Sequence, residues 1–188
     1  MSTVQGLLLF PGAGSGRETP ALVAVDEAVA PTMPVVRADF PYRREGRRAP
    51  DRAPKLIACV RDEAAALAAS ADIPSSSLAL GGRSMGGRMC TMAVAEGLPA
   101  AALVLIAYPL HPPGKPEKLR IEHFPQITVP CLFVSGTRDP FGTPDELEGH
   151  TAAIAAPVTH VWVEGGRHEL KGADADVAAT IRDWLKSL

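Results

Sequence analysis

One serine in this chain stands where a side-chain oxygen could act as a nucleophile. Ser84 lies within Gly81-Gly82-Arg83-Ser84-Met85-Gly86-Gly87-Arg88, with glycine two residues before it and two after. An apolar stretch, Ser77-Leu78-Ala79-Leu80, precedes this run, and residues of helical period (Met89, Met92, Ala93, Val94) follow it. A serine on so tight a strand-to-helix turn is held out toward solvent at a helix N-terminus, where partial positive charge favours a developing anion. A hydroxyl is a poor nucleophile at neutral pH and needs an adjacent base, itself oriented by a third group. Asp139 sits in Ser135-Gly136-Thr137-Arg138-Asp139-Pro140, after one apolar run, and His168 in Glu164-Gly165-Gly166-Arg167-His168-Glu169, after the next. The expected set is therefore Ser84 as nucleophile, His168 as base and Asp139 as the acid that orients it. Their chemistry would be acyl transfer. Taken alone, the glycine-rich turn could equally tighten packing or cradle a phosphate.

Other acids and histidines fit less well. Asp145, Glu146 and Glu148 read as the start of a helix, where acids suit the dipole. Glu164 would have to fold back to reach His168. His160 falls within an expected strand, His150 near a helix end and His123 in an irregular segment, while His111 could reach the rim of the site. An oxyanion also needs two backbone N–H donors. Met85, the residue after the nucleophile, is expected to supply one. The other should come from Phe10-Pro11-Gly12-Ala13-Gly14-Ser15-Gly16, where proline has no N–H and Ala13 is the expected donor, with Gly14 next. As a phosphate loop this segment lacks the lysine of a P-loop and misses the dinucleotide spacing.

These residues must be positioned by an alternating scaffold. Strands are expected at 4–10, 35–38, 77–80, 101–107, 129–135 and 158–163, with helices at 17–30, 53–70 and 84–95 and a last helix carrying Val177, Ile181, Trp184, Leu185 and Leu188. The stripe Leu56, Ile57, Val60, Ala64, Leu67 and Ala68 has the three- and four-residue spacing of one buried helical face. Strands separated by helices imply an α/β fold, a parallel sheet of about six strands with helices on both faces and right-handed crossovers. Two segments break the pattern, a proline- and arginine-rich loop at 41–54 and the stretch 111–126, with room for at most one short helix. Neither is large enough for a separate domain, so residues 1–188 are expected to form one.

Bulk properties narrow the classes of function. Apolar residues make up 46% of the 188 and aromatic residues only 5%, so aliphatic side chains and alanine must fill the core. A net charge of −2 with mixed signs argues against a nucleic-acid or anionic-membrane surface. Cys59, Cys90 and Cys131 are too widely spaced for a zinc or redox site and are expected to be buried apolar residues. No metal or cofactor is called for. With no basic leader and no apolar run long enough to cross a bilayer, a cytoplasmic location is the default expectation.

Five segments together carry a resemblance: the glycine-rich first loop, Asp39-Phe40-Pro41-Tyr42-Arg43, Gly82–Arg88, Tyr108-Pro109-Leu110-His111-Pro112-Pro113-Gly114-Lys115, and Gly136-Thr137-Arg138-Asp139-Pro140-Phe141-Gly142. Over nearly its whole length the chain resembles small bacterial α/β-hydrolases related to the testis-expressed protein 30 and NSL-complex subunit 3 (KANSL3-like) group. The resemblance implies a minimal α/β-hydrolase fold without a lid domain but supplies no substrate. Because a lidless small domain has little extended surface for gripping a chain, the expected function is a serine hydrolase of small esters or thioesters. The resemblance also implies a rival, since the eukaryotic relative serves as a subunit of a chromatin complex: a catalytically silent binding scaffold. In many α/β-hydrolases a histidine precedes the glycine of the oxyanion loop; here Pro11 stands there. Arg43, Arg47, Arg48 and Lys115 could make the rim attractive to a carboxylate-bearing substrate, although solvated loop charge is the plainer explanation. Arg88, one helical turn after Ser84, is expected to pin its helix by ion pairing.

Overall fold

The computed structural model describes residues 4–188. Six strands, β1 (Gly6–Phe10), β2 (Val35–Arg37), β3 (Leu78–Arg83), β4 (Ala102–Ile106), β5 (Cys131–Gly136) and β6 (Val158–Val163), form one sheet in the order β2-β1-β3-β4-β5-β6. Every neighbouring pair is parallel. The helices are α1 (Pro20–Val29), α2 (Pro41–Arg44), α3 (Ala53–Ala71), α4 (Met85–Ala95), α5 (Pro144–Thr151) and α6 (Asp174–Ser187). Alternate strand residues face opposite layers. Leu8, Phe10, Leu80, Leu105 and Phe133 pack with Leu56, Val60 and Leu67 of α3 and Met89 and Ala93 of α4. Leu7, Leu9, Val104, Ile106, Leu132 and Val134 pack with Leu22 and Val25 of α1 and Val177, Ile181 and Leu185 of α6. With both faces covered, the central strands are apolar throughout, as β1 and β4 are at every position.

The chain leaves β1 for β2 on one side and then returns to β3 on the other. Such a reversal opens a crevice beyond the C-terminal strand ends, the usual ligand position in open α/β sheets. The loop after β1 and the turn after β3 flank it.

Local departures from the expected elements have physical causes. Helix α1 starts at Pro20 rather than residue 17, because Thr19 donates through both N–H and Oγ1 to the Gly16 carbonyl and closes a turn first. Strand β3 runs through Gly81 and Gly82 to Arg83, where pairing on both sides overrides the low strand preference of glycine. Within the expected loop 41–54, Pro41 at the first helical position starts the single turn α2. Thr143 and Glu146 form a reciprocal capping box at the start of α5, which accounts for the acids there. Cys59, Cys90 and Cys131 are free and buried. Among the described residues no helix is long and apolar enough to cross a membrane.

The central strand tolerates no side chain where glycines occur: a Cβ on Gly82 would strike the Phe10 carbonyl oxygen, and its φ of +147° disfavours other residues independently. Gly149, in α5, faces open space. Gly82→Ala is therefore expected to lose about 3 kcal/mol or more, whereas Gly149→Ala should gain about 0.5–1 kcal/mol. Urea unfolding compares the two; similar effects would contradict the close approach of β1 and β3.

The β4–β5 connection contains a half-buried histidine whose titration is shifted by its surroundings. His123 Nε2 lies 2.8 Å from Thr91 Oγ1 of α4, and burial, with a smaller contribution from Arg88, pulls its pKa from 6.5 to about 4. The unfolded chain therefore takes up this proton before the folded protein does. The stabilising contribution is complete above pH 6.5 and is lost as pH falls toward 4. Burial pulls His160 in the same direction. Unfolding free energy measured in urea should fall by about 1–2 kcal/mol between pH 7 and pH 5 on account of His123. His123→Gln should flatten the profile by that amount, and an unaltered slope would refute the assignment.

Candidate active site

The turn after β3 holds Ser84 at φ +51°, ψ −116°, a conformation rare for a residue with a side chain. Two close backbone contacts impose it. A Cβ on Gly82 or on Gly86 would strike the Phe10 carbonyl oxygen, so the turn sits directly on the end of β1. Ser84 N–H donates to the Ile106 carbonyl oxygen (2.8 Å), which ties the turn to β4 as well. The hydroxyl is left at the N-terminus of α4.

Asp139 and His168 come together by a similar contact. A Cβ on Gly136, the last residue of β5, would collide with the backbone of Gly166 in the loop after β6. Arg138 N–H donates to the Gly166 carbonyl oxygen (2.9 Å) and links the two loops. His168 Nδ1 lies 2.8 Å and 3.0 Å from the two oxygens of Asp139, and its Nε2 lies 2.9 Å from Ser84 Oγ. A carboxylate facing Nδ1 selects the tautomer protonated there, which leaves the Nε2 lone pair to accept from the serine hydroxyl. The Asp139 side chain is 1% exposed and that of His168 10%, so the carboxylate is shielded while the imidazole edge reaches the cavity.

Three supporting residues have no counterpart in the sequence reasoning. Phe141 stacks on the His168 ring with centroids 3.9 Å apart, and its N–H donates to Asp139 Oδ1 (2.9 Å). Arg83 Nη2 donates to the His168 carbonyl oxygen (2.9 Å). Tyr42 Oη donates to the Ala13 carbonyl oxygen (2.8 Å) and belongs to an aromatic row with Phe40 and Phe10. Phe141 and Tyr42 lie inside the family-like segments, but only tertiary contact reveals what they hold.

A cavity of about 400 Å³ opens over Ser84 and His168. Its walls are Gly12, Ala13 and Gly14 from the first loop, Arg83, Met85 and Arg88 from the elbow, and Pro109, Arg120 and Phe141 from later loops. Ala13 and Met85 thus both line the cavity that opens over Ser84.

The proposed substrate rim needs correction. None of Arg43, Arg47, Arg48, His111 or Lys115 lines this cavity. Arg47 is turned to Glu45 and Asp51 in exposed ion pairs. Arg43 borders a separate depression with Gly16 and Asp39, and Arg48 and Lys115 are exposed. His111 is buried, with Nδ1 donating to the Pro112 carbonyl oxygen (2.9 Å) and Nε2 3.5 Å from Glu146. Arg88 was expected to form an ion pair; among the described residues it forms none, because α4 turns its side chain toward a cavity wall without an acid.

Comparison with known proteins agrees with this architecture. Est1E from Butyrivibrio proteoclasticus, solved with ferulic acid bound, matches with a TM-score of 0.82 at 14% identity, over 97% of this chain and 88% of its own. A dienelactone hydrolase from Anabaena variabilis matches at 0.79 and 20% identity, over 98% and 87%. An alpha-beta serine hydrolase homologue from Coxiella burnetii gives 0.78 at 17%, over 97% and 85%. At such identities the likeness is one of fold. The family model described as alpha/beta hydrolase domain matches residues 3–186, and the chain belongs to that family.

Proposed function

We propose that the protein is a serine hydrolase of small carboxylic esters or thioesters, working through an acyl-enzyme. The observation that carries this reading is the continuous chain Asp139–His168–Ser84, with contacts of 2.8 and 2.9 Å. Ser84 Oγ attacks the substrate carbonyl carbon while His168 Nε2 takes the hydroxyl proton. Asp139 holds the Nδ1–H and stabilises the imidazolium. Charge gathers on the former carbonyl oxygen, for which the N–H groups of Met85 and Ala13 are the proposed donors. Collapse of the tetrahedral intermediate breaks the bond to the alcohol or thiol, which leaves with the proton from Nε2. Water then attacks the acyl-enzyme, gives its proton to Nε2 and releases the acid, and the serine recovers its proton.

A cavity of about 400 Å³ suits a small molecule rather than a polypeptide. Ferulic acid in one structural neighbour and the lactone in the name of another are in keeping with carboxylic-ester chemistry. The narrower kinship with the testis-expressed protein 30 and NSL-complex subunit 3 group rests on the five sequence segments named above. A scaffold role would require none of the triad contacts.

The reading predicts that a fluorophosphonate probe labels Ser84 and that short p-nitrophenyl esters are hydrolysed. Ser84→Ala and His168→Ala should each lower kcat by about 10⁴- to 10⁶-fold, and the double variant little further, because the groups act as a unit. A Ser84→Ala protein that keeps most of the esterase activity would remove the assignment.

A further inference from the structure

Three arginines, Arg83, Arg88 and Arg120, line the catalytic cavity without an acid to neutralise them, and only Arg83 has a side-chain hydrogen bond there. Arg88 is the fourth residue after Ser84, on α4, and helical side chains lean toward the N-terminus, so it projects back toward the turn that carries the serine. Arg120 enters from the β4–β5 connection. Its N–H donates to the Leu110 carbonyl oxygen (2.9 Å) and its own carbonyl accepts from Tyr108 Oη (3.1 Å), which fixes where its side chain begins. No aspartate or glutamate is among the residues lining the cavity.

Several arginines elsewhere are neutralised, Arg37 by Glu18 and Asp26, Arg44 by Glu63, Arg47 by Glu45 and Asp51, and those without an ion pair, such as Arg43, Arg48 and Arg52, lie outside this cavity. Arg83, also in the cavity, spends a guanidinium N–H on the His168 carbonyl. Among the described residues Arg88 and Arg120 form no ion pair, and Arg88 Nε is buried with no hydrogen-bond partner. Burial, and then Arg88 itself, draw the pKa of Arg120 below its ordinary value. Like charges held together and partly desolvated are unfavourable until an anion arrives between them.

We propose that Arg88 and Arg120 form a subsite for an oxyanion group, a carboxylate or phosphate, carried by the substrate a short distance from the carbonyl that Ser84 attacks. Guanidinium forks suit either group, donating two parallel hydrogen bonds in a plane that lysine cannot reproduce. The substrate class is then a small anionic ester or thioester, such as a half-ester of a dicarboxylic acid. Bond cleavage in this inference rests on the hydrolase reading, but anion binding does not.

Two measurements test the subsite. The first is the ratio of kcat/KM for the mono-p-nitrophenyl ester of glutaric acid to that for p-nitrophenyl valerate, in wild type and in Arg88→Gln, Arg120→Gln and the matching lysine variants. The wild-type ratio should exceed one, each glutamine variant should lower it about 10-fold or more, and lysine should restore only part. The second is calorimetric binding of glutarate and of inorganic phosphate to Ser84→Ala, with and without Arg88→Gln, thermal unfolding confirming that each variant is folded. Glutarate binding that Arg88→Gln abolishes supports a carboxylate subsite, and phosphate binding lost in the same way supports a phosphate one. Such binding, with no ester hydrolysed by wild type, would uphold the subsite and sink the hydrolase reading. A ratio unmoved in both glutamine variants, or failure of both anions to bind Ser84→Ala, would overturn the subsite.

Discussion

Backbone packed on backbone, with no side chain between, is the constraint on which this molecule's site depends. The elbow sits on the end of β1 only because Gly82 and Gly86 present nothing to the Phe10 carbonyl, and the loops after β5 and β6 touch only because Gly136 presents nothing to Gly166. The first contact sets the height and direction of Ser84. The second brings Asp139 and His168 within hydrogen-bond distance. Because main-chain atoms have no rotamers, positions set this way are stiffer than those set by side-chain packing. The triad hydrogen bonds are the consequence of these approaches rather than their cause.

Side chains then restrain what the backbone has placed. Phe141 acts on both partners of the serine at once, its ring against the imidazole and its N–H on the carboxylate. Arg83 holds the histidine loop through a carbonyl, far from the ring nitrogens that would exchange protons. Tyr42 restrains Ala13 through its carbonyl oxygen, which leaves the orientation of the neighbouring peptide groups to the loop's own turn. Tyr42 and the Phe141 ring join loops that follow different strands, and Arg83 ties the end of β3 to the loop after β6.

Much of this was legible in the sequence, for identifiable reasons. The alternation of apolar runs with helical stripes revealed the six strands because burial on both faces leaves no polar position in β1 or β4 to confuse the pattern. The elbow was legible because close backbone contact demands glycine at fixed offsets from Ser84, and the acid and histidine because each follows a strand in order. For the arginine-rich loop the plainer reading, solvated charge, is the one Arg47 follows: Glu45 and Asp51, beside it in the chain, claim its guanidinium. Arg120 went unnoticed because it belongs to an irregular connection whose path is set by the Leu110 and Tyr108 contacts, neither of which leaves a periodic trace. Arg88 was expected to pin its helix by ion pairing because it lies one helical turn after Ser84, but that position turns it to a wall of the candidate site where no acid lies.

The positive φ at Ser84 has an evolutionary corollary. A residue with a side chain held there stores about 1–3 kcal/mol of backbone strain, a sizeable share of the stability margin of a small domain. Glycine would adopt the same angles at little cost, so selection for folding alone favours losing the serine. A lineage released from any demand on the hydroxyl would drift toward glycine at position 84 and become more robust to mutation elsewhere as it did so. A serine at that angle stands against the chain's own backbone preference, a cost that only a use for the hydroxyl would offset.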